Sequence, residues 1–160
     1  MTATTSRLLS EVTDGERLPE LGHDVTATTV VLGALASRDW RPMHHDYKFA
    51  TERNGVQDIF LNTPNLAAWF ERYITDWTGP KGRLGRMKFR MGDSVFPDNH
   101  MVITGTVTGT ETDETGCGWV DLEIQLTADD RPCCSAGARI ALPTDPDDNP
   151  WSRRGDAWRP

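Results

Sequence analysis

Cysteine is scarce in this sequence, with three residues in 160 and no pair at the C-x-x-C spacing. An odd number of cysteines without that spacing argues against a disulfide framework and against a zinc site. The adjacent Cys133 and Cys134 would point to opposite faces of a strand. Together with Cys117, they are expected to be structural thiols of a protein in a reducing cytoplasm.

Long apolar runs are also missing. No stretch approaches the roughly 18 consecutive apolar residues that a membrane span needs, and residues 1–10 lack the apolar core of a secretion signal. The G-x-G-x-x-G, Walker A and G-x-S-x-G patterns are absent, which removes the common nucleotide-dependent and serine-hydrolase functions. Acidic residues outnumber basic residues by 24 to 17, and the net charge of −7 argues against nucleic acid as the main partner.

What is present fits a single domain. Of the 160 residues, 37% are hydrophobic and 26% are charged, as in a soluble globular protein with its own core. We place this domain at residues 17–142, between a loose lead-in of residues 1–16 and a Pro/Asp-rich tail of residues 143–160. The tail carries Trp151 and Trp158, which hint at docking, but the general behaviour of chain termini favours a disordered tail.

One amphipathic helix dominates the middle of the chain. Thr63 fits its N-cap, Pro64 fits the first helical position and Gly79 follows its end, so the helix is predicted over residues 64–77. Its apolar residues follow the i, i+3, i+4, i+7, i+8, i+11 series of one helix face. They are Leu66, Trp69, Phe70, Tyr73, Ile74 and Trp77.

Short elements precede this helix and strands follow it. We predict a short strand within residues 18–26, a short buried helix over residues 28–37 (a strand is the alternative) and one or two helical turns over residues 47–53. After the helix the apolar period changes from 3.6 to 2. This order predicts an α+β fold in which a curved antiparallel sheet wraps around the long helix, with open edges that favour pairing with a second chain. The predicted strands cover residues 84–91, 101–108, 119–126 and 135–142.

The candidate chemistry lies in the loop before the long helix. Asp39 and His44 stand five residues apart on a turn that Pro42 helps to fix. A carboxylate near an imidazole can hold one water and move its proton. The spacing alone is a weak signal, because an Asp before a Pro turn is more often a turn residue. His45 and Asp46 suggest a metal site, but the diverging ring directions and the lack of a third nearby His favour solvated loop residues.

Two further features are candidates for binding a ligand. The helix start at Asn62 and Thr63 has unpaired N–H groups, which favour negative charge such as the developing enolate oxygen of a thioester; an ordinary N-cap is the alternative. Arg86, Lys88 and Arg90 form a positive stripe on an acidic protein. The stripe is interpreted either as a contact for the phosphates of a carried acyl group or as the charged face of an edge strand.

Three blocks of the sequence resemble a known family. They are RDWRPMHHD from residue 38, DIFLN from residue 58 and YITDWTGP from residue 73. In this order, followed by the predicted strands, they resemble the MaoC-like (R)-specific enoyl-CoA hydratases of the hot-dog fold over roughly residues 18–142. The family's D-x-N-x-x-H motif places its Asp on Asp39 and its His on His44, but its Asn falls on Arg41. Where the family usually has His-Gly at the start of the central helix, this chain has Asn62 and Thr63.

The resemblance implies a mechanism and partners. Within the family, the chain is most similar to the small subunit of the heteromeric hydratase of actinobacterial steroid side-chain degradation. The acyl thioester would lie with its carbonyl toward the Thr63 N–H, while a water held by Asp39 and His44 adds to the β-carbon and the pair relays a proton to the α-carbon. The implied substrate is an acyl-CoA, with no cofactor beyond the CoA that it carries. The implied partner is a second MaoC-like chain, for example in a heterotetramer, and a homodimer is the alternative.

A second interpretation belongs to another class of protein. The chain would then be a non-catalytic hot-dog subunit that binds acyl-CoA or stabilises a partner hydratase or aldolase. The presence of Asp39 and His44 favours hydration, whereas Arg41 and Thr63 slightly favour the non-catalytic role. A thioesterase is disfavoured, because the first turns of the predicted central helix carry no carboxylate and Glu71 lies two turns in.

Overall fold

Five antiparallel strands form one sheet, which wraps around a long helix as the sequence predicts. The computed structural model describes residues 5–160, so the first four residues of the predicted lead-in lie outside the described residues. The strand order is β1-β3-β4-β5-β2. The strands are β1 (Leu21–Asp24), β2 (Arg83–Met91), β3 (His100–Thr112), β4 (Gly118–Ala128) and β5 (Arg131–Leu142), and the helices are α1 (Ala27–Ala36) and α2 (Thr63–Thr78).

The central strand β4 shows why the sheet curls around the helix. Leu122, Ile124 and Leu126 are buried on its inner face, while Glu123 and Gln125 are exposed on its outer face. Side chains alternate between the two faces of a strand, so this period-2 pattern commits one face of the sheet to the core. The outer strands β1 and β2 each pair with only one neighbour. The predicted α+β architecture is therefore confirmed.

Helix α2 fills the concave side of the sheet. Its 16 residues bury Leu66, Phe70, Tyr73 and Ile74, which belong to the predicted apolar stripe. The predicted N-cap is wrong by one residue: the side chain of Asn62, not of Thr63, accepts the hydrogen bond that caps the helix. Thr63 is therefore the first helical residue and Pro64 the second, where the missing N–H still costs no helical hydrogen bond.

Helix α1 confirms the predicted helix over the strand alternative, but it is not a buried helix. Only Val30 and Ala34 are buried in it, whereas Leu32 and Leu35 are 57% and 45% exposed. The composition of this segment is apolar all round, so the sequence does not say which side of the helix packs on the core. The predicted short strand before it is β1, and the predicted helical turns after it appear as Phe49–Arg53.

Both terminal segments pack on the domain, so the predictions of a loose lead-in and a disordered tail are wrong for the described residues. Val12 is buried, and the Leu9 N–H donates to the carbonyl of Pro143. In the tail, the ring of Trp158 lies 5.0 Å from that of Trp119, which is fully buried on the outer side of the sheet. The guanidinium carbon of Arg83 lies 3.5 Å from the centroid of Trp158. Aromatic and cation–π contacts of this kind offset the entropy of ordering a short tail.

Replacing Trp158 by alanine should release the tail. The contacts of Trp158 with Trp119 and with the Arg83 guanidinium together contribute on the order of 2 kcal/mol to docking of the tail. We therefore expect Trp158→Ala to accelerate tryptic cleavage after Arg153 and Arg154 in the folded protein. Trp151→Ala is the comparison, because that residue is 51% exposed and its ring centroid lies farther from the Arg83 guanidinium carbon, at 5.5 Å. Equal cleavage rates in the two variants would show that the Trp158 contact does not hold the tail.

Candidate active site

The loop after α1 brings Asp39 next to His44. Arg38 adopts a left-handed conformation with φ of 53°, which turns the chain sharply after the helix, and the Asp39 N–H then donates to the carbonyl of Ala34. The loop continues into a short 3-10 turn, Pro42–His44, whose last residue is only 4% exposed. The turn therefore presents a buried imidazole to the carboxylate at the start of the loop.

A backbone carbonyl determines which ring nitrogen of His44 carries the proton. Its Nδ1 lies 2.8 Å from the carbonyl oxygen of Phe60. A carbonyl oxygen can only accept, so Nδ1 carries a proton and donates. In the neutral imidazole, Nε2 is then the nitrogen with the free lone pair. This nitrogen lies 3.7 Å from Oδ2 of Asp39.

That separation suits a shared water molecule. At 3.7 Å the Asp39–His44 pair is too far apart for a direct hydrogen bond. One water oxygen, however, can lie within hydrogen-bond distance of both atoms. The hydrogen bond from Asn62 lowers the pKa of Asp39, and the Arg41 N–H, His44 and the Arg41 side chain add to this against the opposing effect of burial. Asp39 is therefore ionised at neutral pH.

The start of α2 supplies an N–H group close to this pair. Pro64 has no N–H, and the N–H groups of Asn65 and Leu66 donate to Asn62. Within residues 5–160, the N–H of Thr63 has no hydrogen-bond acceptor. Such a group at the positive end of a helix favours a developing negative charge.

A cavity of about 150 Å³ connects the imidazole with the helix start. His44 and Thr63 both line it, whereas Asp39 does not, so a water held by the pair would lie at its edge. The Thr63 hydroxyl donates to the Met91 sulfur across 3.2 Å, which ties the helix start to the end of β2. The other lining residues are Arg41, Met43, Phe60, Leu61, Leu66, Gly92, Asp93, Ser94 and Val95.

The side chain of Asn62 is occupied inside the protein. The sequence predicted Asn62 and Thr63 as thioester-binding residues through the N–H groups of the helix start. The side-chain amide of Asn62 donates to the Ser37 hydroxyl and to Oδ2 of Asp39, while its oxygen accepts from the Asn65 N–H. These three bonds occupy both donors and one acceptor site. The side-chain amide therefore has no N–H left to donate to a thioester oxygen, and a contact through the backbone at Asn62 and Thr63 stays a prediction.

The positive stripe of β2 is not brought to this cavity. Arg86, Lys88 and Arg90 are exposed, and they alternate along the strand with Met87 and Phe89, which pack against the core. The three cations line shallow grooves on the outer face of the sheet together with residues of β4 and β5. Contact with substrate phosphates stays a prediction for these residues, and none of them belongs to the cavity wall that contains His44 and Thr63.

Two parts of the site were missed by sequence reasoning. The carbonyl of Phe60 orients His44 through the backbone, and no residue type signals such a role. Residues 91–95, which close the cavity after β2, carry no motif. No cluster of three or more potential metal ligands occurs in the part of the chain that the structure describes. No helix among residues 5–160 is long and apolar enough to cross a membrane.

The fold and site define a class of protein. A five-stranded antiparallel sheet around one long helix is the hot-dog fold, and here an acid–imidazole pair lies at the helix start. The unliganded (R)-hydratase PhaJ1 of Pseudomonas aeruginosa has the same fold, with a TM-score of 0.76, 16% identity and 88% of each chain covered. The ChsH1–ChsH2 complex of Mycobacterium tuberculosis gives a TM-score of 0.75 at 27% identity, covering 81% of this chain and 98% of that one.

A curated relative narrows the class to a family. The 3-oxo-4,17-pregnadiene-20-carboxyl-CoA hydratase beta subunit of Mycobacterium tuberculosis is 35% identical over 94 residues, which are 59% of this chain and 72% of the relative. The chain belongs to the MaoC-like (R)-hydratase family of hot-dog proteins. No protein-family model matches the chain.

Proposed function

We propose that this chain is the catalytic subunit of a heteromeric 2-enoyl-CoA hydratase. The observation that carries this proposal is the geometry at His44, whose Nδ1 is bound to the Phe60 carbonyl while Nε2 faces Oδ2 of Asp39 at 3.7 Å. A buried base with a free lone pair and a helix start with a free N–H line one cavity, and an ionised carboxylate faces the base. Water addition to an activated double bond needs these three groups.

The reaction follows from the placement of these groups. The thioester oxygen of the substrate accepts from the Thr63 N–H, which draws electron density from the β-carbon. Nε2 of His44 takes one proton from the bound water. The oxygen of this water forms a bond to the β-carbon, and the electrons of the double bond move to the thioester oxygen. Asp39 stabilises the imidazolium that results. The same proton then passes to the α-carbon, so that one water in total has been added.

A second chain completes the site in this proposal. A cavity of about 150 Å³ is smaller than the roughly 300–1,000 Å³ of a typical ligand pocket. Met91 in the cavity wall is 52% exposed, and Trp40, the chain neighbour of the lining residue Arg41, is 65% exposed. Exposed apolar patches of this kind mark protein interfaces. A second MaoC-like chain, in a heterotetramer, would cover this surface and supply the rest of the pocket.

The substrate class comes from the relatives. One relative is named as a hydratase of a pregnadiene carboxyl-CoA and another as a ChsH1–ChsH2 complex. We propose a steroid side-chain enoyl-CoA as the substrate, with CoA carried by the substrate and no separate cofactor. Cys117, Cys133 and Cys134 are free and buried, in keeping with a cytoplasmic location.

A non-catalytic subunit is the second candidate. It is favoured by Thr63, whose side chain stands over the helix start and bonds to Met91. In that case a partner would supply the water-activating groups. Asp39 and His44 would then only stabilise the loop.

The test is co-expression with a neighbouring MaoC-like gene, followed by assay with steroid and simple 2-enoyl-CoA thioesters in water labelled with heavy oxygen. A hydratase places the label on the 3-hydroxyl of an intact thioester, whereas a thioesterase releases free CoA and labels the carboxylate. Absence of labelled 3-hydroxyacyl-CoA from a well-formed complex would contradict the hydratase proposal. A monodisperse, fully active homodimer would contradict the heteromer.

A further inference from the structure

The side chain of Asn62 links the helix start to the acid of the site. It is 1% exposed, although it lies in a region where the adjoining Thr63 is open to solvent. Its amide nitrogen lies 3.0 Å from Oδ2 of Asp39 and 2.8 Å from the Ser37 hydroxyl, and its oxygen lies 3.2 Å from the Asn65 nitrogen. A single buried amide therefore caps α2 and holds the carboxylate at the same time.

The orientation of this amide follows from the chemistry of its neighbours. The Asn65 N–H can only donate, so the Asn62 oxygen must face it. Ionised Asp39 can only accept, so the Asn62 nitrogen must face it. Ser37 donates its own proton to the carbonyls of Gly33 and Ala34, which leaves its oxygen to accept from Asn62. Turning the amide over would break all three bonds.

These bonds settle the direction of the Asp39 side chain. Oδ2 is held by Asn62, and Oδ1 accepts from the Arg41 N–H at 3.3 Å. With both oxygens held, Oδ2 stays on the side of His44 Nε2. A catalytic group whose orientation is locked by neighbours loses less freedom on reaching the transition state.

We propose that Asn62 is a positioning residue of this site, which aligns the Asp39 carboxylate with His44 while the same amide caps α2. This proposal rests on the hydratase function proposed above. It concerns the side chain of Asn62 and is separate from the thioester contact predicted for the backbone of the helix start.

The consequence is measurable in the titration of Asp39. A donor to the carboxylate favours its charged form, and the bond from Asn62 is the main cause of the lowered pKa of Asp39. Asp39 therefore loses its charge only as the pH falls through this lowered pKa. Without the bond the pKa of Asp39 rises, so the carboxylate is protonated at a higher pH.

Two variants of the assembled complex separate this role from helix capping. Asn62→Ser keeps a good N-cap but cannot reach Asp39. We expect its kcat to fall by up to about 100-fold, the cost of misplacing a reacting group, with the pKa of Asp39 shifted upward. Asn62→Asp also caps the helix and places a second negative charge beside Asp39, so we expect a larger upward shift. Thr26→Ala is the control, because it removes the cap of α1 and leaves the Asp39 contact intact.

A direct measurement keeps this test independent of turnover. The pKa of Asp39 is read by carboxyl-carbon NMR in the complex, with its signal assigned by its loss in Asp39→Asn. An unchanged pKa of Asp39 in both Asn62 variants, or an equal shift in Thr26→Ala, would overturn the positioning role. If the pKa shifts as expected but Asp39→Asn hydrates at the wild-type rate, the assignment of catalysis to this chain fails and the Asn62–Asp39 bond stands.

Discussion

Replacing His44 by alanine or Asp39 by asparagine should lower hydration of an enoyl-CoA about a thousandfold or more, while the complex still assembles. His44→Ala removes the nitrogen that takes the water proton. Asp39→Asn removes the negative charge that stabilises the imidazolium. A positioned acid–base group contributes about 10²–10⁴-fold to a rate. The measurement is kcat at saturating substrate, with assembly followed by size-exclusion chromatography.

The loop offers a matched control for the histidine. His45 is the next residue and is exposed, and its ring makes no hydrogen bond within the described residues. We expect His45→Ala to retain near wild-type turnover. If His44→Ala were as active as His45→Ala, the Asp39–His44 pair would not be catalytic and the non-catalytic candidate would be preferred.

Replacing Phe70 by alanine should have the largest effect on stability. Phe70 is fully buried in α2, and its ring lies 5.8 Å from that of Phe89 on β2. Truncating such a ring leaves a cavity between helix and sheet and costs about 3–5 kcal/mol. The free energy of unfolding of an ordinary domain is only about 5–15 kcal/mol. We expect a large fall in the denaturant midpoint of the assembled protein.

The adjoining residue provides the comparison. Glu71 lies on the exposed face of the same helix, so Glu71→Ala should change the free energy of unfolding by less than about 0.5 kcal/mol. Similar midpoints for Phe70→Ala and Glu71→Ala would contradict the packing of α2 inside the sheet. The pair of variants tests the periodicity and the fold at once.

The helix and the strands were predictable because their signals are local. The apolar stripe of α2 and the alternation in β4 are periodicities that one turn or one pleat imposes on neighbouring residues. The N-cap was misplaced because Asn62 and Thr63 are both good caps and Pro64 fits either of the next two positions. Only the hydrogen bond from the Asn65 N–H distinguishes the two residues.

Features that depend on distant contacts were not predictable. The tail was expected to be disordered because its composition is that of a flexible terminus. It docks because Trp158 meets Trp119 and Arg83, which are far from it in sequence. The exposure of one apolar side of α1 was likewise not predictable, because the segment is apolar all round and its sequence does not say which side faces the core.

The sequence by itself determined the α+β order of elements, the amphipathic helix and the pairing of an acid with an imidazole five residues apart. These depend on residue type and short-range spacing, which covalent geometry translates directly into structure. The tertiary structure alone decided how the two side chains are oriented: it bound His44 to the carbonyl of Phe60 and brought Asn62 to Asp39 across 23 positions. Hydrogen bonds between distant segments form only once the core has folded, so no local pattern in the sequence records them.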